Sequence, residues 1–155
     1  MFRIHFPLAP APPAAAENGD GGALAPPGSG TLLLVEDDDA VRTLERTMLE
    51  HLGYHVLETR HGREALEVAT SHEGPIELLV ADVVMPELSG PDVAREVRRV
   101  RPGIRVLYLS GYAPGESVQT AATLDAPLLP KPFALEALAR KVREALAPAD
   151  RDAAD

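Results

Sequence analysis

Glu36-Asp37-Asp38-Asp39 is the densest run of chemistry-bearing residues in this 155-residue chain, and Asp82, Ser110 and Lys131 are three more polar residues that each follow a short apolar run. Carboxylates can hold a cation or attack an electrophile, a hydroxyl can hydrogen-bond an anion, and an ammonium can neutralise one. Taken singly, each has a plain structural explanation. An acidic run at the start of a helix usually caps it and complements its dipole, the role read here for Asp38 or Asp39. A lone Asp after a strand is most often a turn residue. An isolated Ser or Lys is most often a local hydrogen-bonder or a solvated charge. Only a fold that brings these residues together turns them into a site.

The elements that must do so alternate. Thr31–Val35 is a nearly continuous apolar run, as expected of a strand buried on both faces of a parallel sheet. Val41, Leu44, Met48 and Leu52 then form one helical stripe, stopped by Gly53. A second strand, His55–Thr59, and a short helix over Arg63–Ser71 follow, the latter with Ala65, Leu66 and Ala69 inward. Gly74-Pro75 breaks that helix before a third strand, Ile76–Ala81. Gly90–Val100 is helical, with Val93, Val97 and Val100 inward, and Ile104–Leu109 is a fourth strand. A weak fourth helix at Glu116–Thr123, a brief fifth strand at Pro127–Leu129 and a strong last helix complete the pattern. That last helix, Leu135–Leu146, turns Leu135, Leu138, Val142 and Leu146 inward.

Strand-then-helix, five times over, predicts an α/β fold of the flavodoxin-like, doubly wound (βα)5 kind, with a five-stranded parallel sheet in the order 2-1-3-4-5. Ligands in such sheets bind beyond the carboxyl ends of the strands, where the order reverses between the first and third. Those ends carry Glu36 and Asp37 (first strand), Asp82 (third), Ser110 (fourth) and Lys131 (fifth). Two like charges about 4 Å apart repel by roughly 1 to 4 kcal/mol, so gathering three carboxylates there is unfavourable unless a cation offsets them. Oxygen ligands without His or Cys select a hard ion, and Mg²⁺ suits a site that keeps waters and accepts phosphate. Lys131 then supplies a point charge, and Ser110 a hydroxyl, for phosphate oxygens.

Leu32–Asp39, Leu79–Pro86 with Leu88-Ser89-Gly90, Leu109–Tyr112 and Leu129–Phe133 together resemble the motifs of bacterial two-component receiver domains, over about residues 31 to 147. The segments Leu107–Ala113 and Lys131–Phe133 are most similar to receivers attached to hybrid sensor kinases. The resemblance implies that Asp82 is the phosphoacceptor, taking phosphorus from a histidine kinase, a phosphotransfer protein or a small acyl phosphate. It implies that Asp37, Asp82 and the backbone carbonyl of Val84 hold Mg²⁺ directly, with Glu36 acting mainly through water. Lys131 would contact the phosphoryl group across a cis Lys131-Pro132 bond, and Ser110 would be the switch hydroxyl. Output would pass to a protein partner through a face made by the fourth helix, fifth strand and fifth helix. Such a protein is not a general enzyme; it promotes only its own phosphorylation and dephosphorylation.

Two positions depart from the family pattern. Leu128 stands where many members carry an aromatic switch residue, with Tyr112 as a nearby loop aromatic. Val84 is apolar where several members have polar residues that handle attacking water. Val84 also argues against a metal-dependent phosphatase, whose chemistry commonly places a second Asp two residues after the nucleophile. A receiver fold that binds a partner without being phosphorylated is the main alternative, and the presence of every key residue weighs against it.

The rest of the sequence bounds the answer. Net charge is −9 and the pI about 5.0, which argues against binding nucleic acid or anionic membranes. Without cysteine, disulfides and thiolate chemistry are excluded. No apolar run reaches the roughly 18 to 20 residues that span a bilayer, and Met1–Leu8 lacks a signal-peptide core, so a cytoplasmic protein is expected. Residues 1–30, with six Pro, five Gly and seven Ala, read as a disordered arm, 31–147 as the receiver domain and 148–155 as a polar tail. Nine residues after Leu146 are too few for a DNA-binding motif, so a stand-alone receiver is expected, with homodimer formation left open. The five histidines and the cluster Arg95, Arg98, Arg99, Arg101 and Arg105 are read as solvated surface.

Overall fold

The computed structural model describes residues 28–111 and 124–147. Leu32, Leu33, Leu34 and Val35 are all fully buried, which a strand achieves only when both faces of its sheet are covered. This strand, β1 (Thr31–Val35), lies inside a five-stranded sheet with β2 (His55–Thr59), β3 (Leu78–Asp82), β4 (Arg105–Ser110) and β5 (Leu128–Pro130). All pairings are parallel and the order is β2-β1-β3-β4-β5, as the alternation predicts. β1 and β2 have the expected limits, and β3, β4 and β5 begin or end one or two residues from theirs. Asp82 and Ser110 are the last residues of their strands rather than the first of the following loops.

Among the described residues four helices cover the sheet: α1 (Asp39–His51), α2 (Gly62–Ser71), α3 (Gly90–Val100) and α4 (Leu135–Leu146), the last being the fifth helix of the sequence pattern. The expected helix at Glu116–Thr123 lies outside the described residues, as do residues 1–27 and 148–155. Alternate residues of β1 face opposite cores. Leu33 and Val35 join Ala65, Ala69, Val93 and Val97 under α2 and α3, while Leu32 and Leu34 join Leu49, Leu138 and Val142 under α1 and α4. Asp38 caps α1 by accepting from Val41 N at 3.0 Å, His61 caps α2 and Ser89 caps α3. Asp39 instead pairs with Arg42.

Two expected faces are corrected in part. Met48 and Leu52 of the α1 stripe pack against the core, but Arg42, Glu45 and Leu49 are the residues buried there, and Leu44 is 55% exposed. The physical reason is partnership. Arg42 finds the Glu36 carbonyl at 3.0 Å with Asp39 and Glu58 beside it, and Glu45 finds Lys131 at 3.1 Å, so the charged face can turn inward. Val100, expected inward on α3, is exposed.

The arginine cluster also disperses. Arg95, Arg98 and Arg99 pair with Asp92, Asp125 and Glu96. Arg101 instead donates to the carbonyls of Ala69, His72 and Gly74 at 2.8, 2.5 and 2.6 Å, stitching α3 to the end of α2. Arg105 donates to the carbonyl of Ala147 just beyond α4, where a helix's last carbonyls lack partners.

Candidate functional site

Register brings the polar residues to one edge. Val35 pairs with Ala81, so Glu36 and Asp82 are the next residues along two adjacent strands. Asp82 pairs with Leu109, and Ser110, fully buried, lies one step beyond it. Ser110 pairs with Pro130, and Lys131 N donates to the Ser110 carbonyl at 2.6 Å, which starts the β5–α4 loop in a fixed direction. The Lys131-Pro132 peptide is cis.

The side chains converge. One carboxylate oxygen each from Glu36, Asp37 and Asp82 lie within 4.8 Å of one another. Glu36 is buried, Asp82 partly buried and Asp37 exposed, so the cluster opens to solvent on the Asp37 side. Lys131 Nζ lies 2.7 Å from Glu36 Oε2 and 3.1 Å from Asp82 Oδ2. The other Glu36 oxygen accepts from Asp38 N at 3.0 Å, and Val84 N lies 3.3 Å from Asp82 Oδ1. Partial burial, the hydrogen bond with Glu36 and the charges of Glu36 and Asp38 raise the Asp37 carboxyl above its ordinary range. Burial opposes the charge on Lys131, but its hydrogen bond to Glu36 and the charges of Glu45, Asp82 and Glu36 outweigh it and hold the ammonium protonated above its usual range. A small, hard divalent cation fits this donor set: three carboxylates, no softer ligand, and more negative charge than one ammonium can balance.

Two contributors escape a reading of the sequence. Glu45 reaches the site from α1, its Oε1 3.1 Å from Lys131 Nζ, and burial pushes its pKa up to about 7. The only sequence signal was Arg42, Glu45 and Leu49 at helical spacing, two of the three charged, and the complete apolar stripe beside them masked it. Gly90 is the other. Its N donates to the Val83 carbonyl at 2.9 Å, and a Cβ there would stand 2.4 Å from the Asp82 carbonyl oxygen. That neighbour is backbone and cannot swing aside, so Gly90 lets α3 begin directly against Asp82. Gly90→Ala is expected to cost about 1 to 3 kcal/mol in urea unfolding and to shift the Asp82 amide resonance. An unchanged midpoint would show that the contact relaxes freely. Leu128 is half-buried against the core, an aliphatic packing residue, and Tyr112 lies outside the described residues. His51, His55 and His61 are exposed, as expected, whereas His72 is half-buried and His5 lies outside the described residues.

Comparison with known proteins agrees with this geometry. The family model described as response regulator receiver domain matches residues 32–143. The sensor kinase CckA of Brucella abortus is 44% identical over 120 residues, 77% of this chain but 13% of that protein. The response regulator receiver protein CpdR of the same organism is 34% identical and is covered over 95% of its length. This chain therefore spans a small fraction of one curated relative and nearly all of another. Among solved structures, the receiver domain of the hybrid histidine kinase CckA is 35% identical with a TM-score of 0.63, covering 76% of this chain and 100% of that one. The response regulator protein TrrA of Thermotoga maritima, solved in complex with Mg²⁺–BeF, is 29% identical with a TM-score of 0.63, covering 76% and 99%. Among the described residues no helix is long and apolar enough to cross a membrane.

Proposed function

The chain belongs to the response regulator receiver domain family, which signals by phosphorylation of an aspartate, and from that membership we propose that Asp82 is its phosphoacceptor. The observation that carries the assignment is the convergence on Asp82 of two further carboxylates, within 4.8 Å, and one ammonium, at 3.1 Å. A carboxylate oxygen of Asp82 attacks phosphorus, a P–O bond to Asp82 forms, and the bond to the donor breaks. The donor is the phosphohistidine of a kinase or phosphotransfer protein, or a small acyl phosphate, and a histidine leaving group retains the electron pair and takes up a proton. Kinship with sensor kinases supports a histidine kinase as the natural donor.

Asp37, Asp82 and the Val84 carbonyl would hold Mg²⁺, with Glu36 acting through water. The Mg²⁺–BeF complex of TrrA supports the choice of ion. When bound, the ion neutralises charge on the transferring oxygens, which is the main demand of phosphoryl transfer. Lys131 holds a phosphoryl oxygen, and the Ser110 hydroxyl moves toward another. The face that includes β5 and α4 then presents the signal to a protein partner or to a second copy of the chain. In this reading residues 31–147 are the receiver domain, flanked by an arm at 1–30 and a tail at 148–155.

Incubating the protein with acetyl phosphate and Mg²⁺ tests the assignment, with the adduct mapped by mass spectrometry. An adduct at Asp82 that forms with Mg²⁺ and not with a chelator is the expected result. Absence of any adduct would leave a receiver fold that binds its partner without phosphorylation. Sustained turnover of an external phosphate ester would make it a phosphatase.

A further inference from the structure

α1 turns Arg42, Glu45 and Leu49 toward the sheet, and Glu45 is an acid in the middle of that face with 3% exposure. Arg42, nearly a turn earlier, is fully engaged by a carbonyl and two carboxylates. Among the described residues Glu45 has one cationic neighbour, Lys131, and neither of its oxygens receives an aligned hydrogen bond. A buried, poorly satisfied carboxylate is unfavourable, and the fold does not require one here, since Leu49 on the same face packs in the apolar core.

Lys131 therefore stands between two acidic groups. On one side are Glu36 and Asp82 at 2.7 and 3.1 Å, and on the other is Glu45 at 3.1 Å. An ammonium has three N–H donors, and three acids compete for them. An anion arriving on Asp82 must take one over. A cation in the metal cluster compensates Glu36 and Asp82, but Glu45 is outside that cluster and keeps Lys131 as its compensation. Glu45 and Lys131 also line a groove of about 410 Å³ bordered by Val41, Leu44, Met48 and Phe133, so a released carboxylate has open space beside it.

Building on the phosphoacceptor reading, we propose that Glu45 is a positioning residue that holds the Lys131 ammonium back from the phosphoryl site and thereby sets how tightly that site takes a tetrahedral anion. Removing its charge relieves the Lys131 ammonium of that competing pull and leaves it free to turn toward an anion on Asp82.

The test is the affinity for beryllofluoride at saturating Mg²⁺, measured by NMR titration for the wild type, Glu45→Gln, Glu45→Leu, Lys131→Met and the double variant Glu45→Gln/Lys131→Met. Both single changes at position 45 should tighten binding by about tenfold, and the apolar Leu variant guards against a folding defect in Gln. With Lys131 replaced, Glu45→Gln should change affinity by less than about twofold, because the coupling runs through the ammonium. Equal affinities for the wild type and both position-45 variants would overturn the proposal. So would a Glu45→Gln effect of the same size with and without Lys131, since a purely structural role behaves that way. A wild type that binds no beryllofluoride with Mg²⁺ present would instead sink the phosphoacceptor reading, and this inference with it.

Discussion

Asp82→Asn is expected to reduce Mg²⁺-dependent phosphorylation by acetyl phosphate by roughly a hundredfold or more, to below detection in most assays. Asparagine keeps the side chain's size but removes the anionic nucleophile and one charged ligand of the candidate metal cluster. The same change should have the opposite effect on stability. Asp82 sits within 4.8 Å of carboxylates on Glu36 and Asp37 and has one ammonium at 3.1 Å, so it has two repulsive neighbours and one attractive one. Without metal, the variant should resist urea better than the wild type by about 1 kcal/mol. With saturating Mg²⁺ that advantage should shrink or reverse, because the ion binds the intact cluster more tightly. Unfolding curves in chelator and in Mg²⁺ measure both. A variant less stable than the wild type in chelator would show that the Lys131 pair, not carboxylate crowding, dominates the site.

That reversal shows why so much of the site was legible beforehand. In a parallel sheet the strand ends are set by apolar runs of four to six residues, and a polar residue ending each run must stand at the same edge. Glu36, Asp82, Ser110 and Lys131 were placed by that rule alone. The strand order followed from the alternation and the handedness of crossovers. What stayed hidden was what depends on rotation about an element's own axis. Val41, Leu44, Met48 and Leu52 satisfy helical periodicity as well as Arg42, Glu45 and Leu49 do. The choice between the two faces is made by tertiary partners 16 to 86 residues away, Glu58 for Arg42 and Lys131 for Glu45. Hydrophobic patterning carries no information about such pairs. Gly90 was hidden for a related reason: its value is a Cβ that would meet the Asp82 backbone, and a close approach leaves no periodic trace.

The hidden face of α1 also carries a pH dependence that the visible one could not. Burial raises the Glu45 pKa from an ordinary 4.5 to about 7; Lys131 pulls it down, and Glu36 and Asp82 add to the rise. A carboxyl whose folded pKa exceeds its unfolded value binds more protons in the native state, so its contribution to stability is fully present below about pH 4.5 and is lost as pH rises through 7. The full shift corresponds to about 3 kcal/mol, and the part falling between pH 5 and 8 is roughly 2 to 3 kcal/mol. Lys131 adds no slope in this window, because its raised pKa keeps it protonated throughout, folded or unfolded. In metal-free buffer, wild-type stability minus that of Glu45→Gln should therefore fall by that amount from pH 5 to pH 8, with the background titration of all other groups cancelling in the difference. Parallel stability profiles for the two proteins would mean that Glu45 is ionised across the whole range, with Lys131 alone compensating its burial.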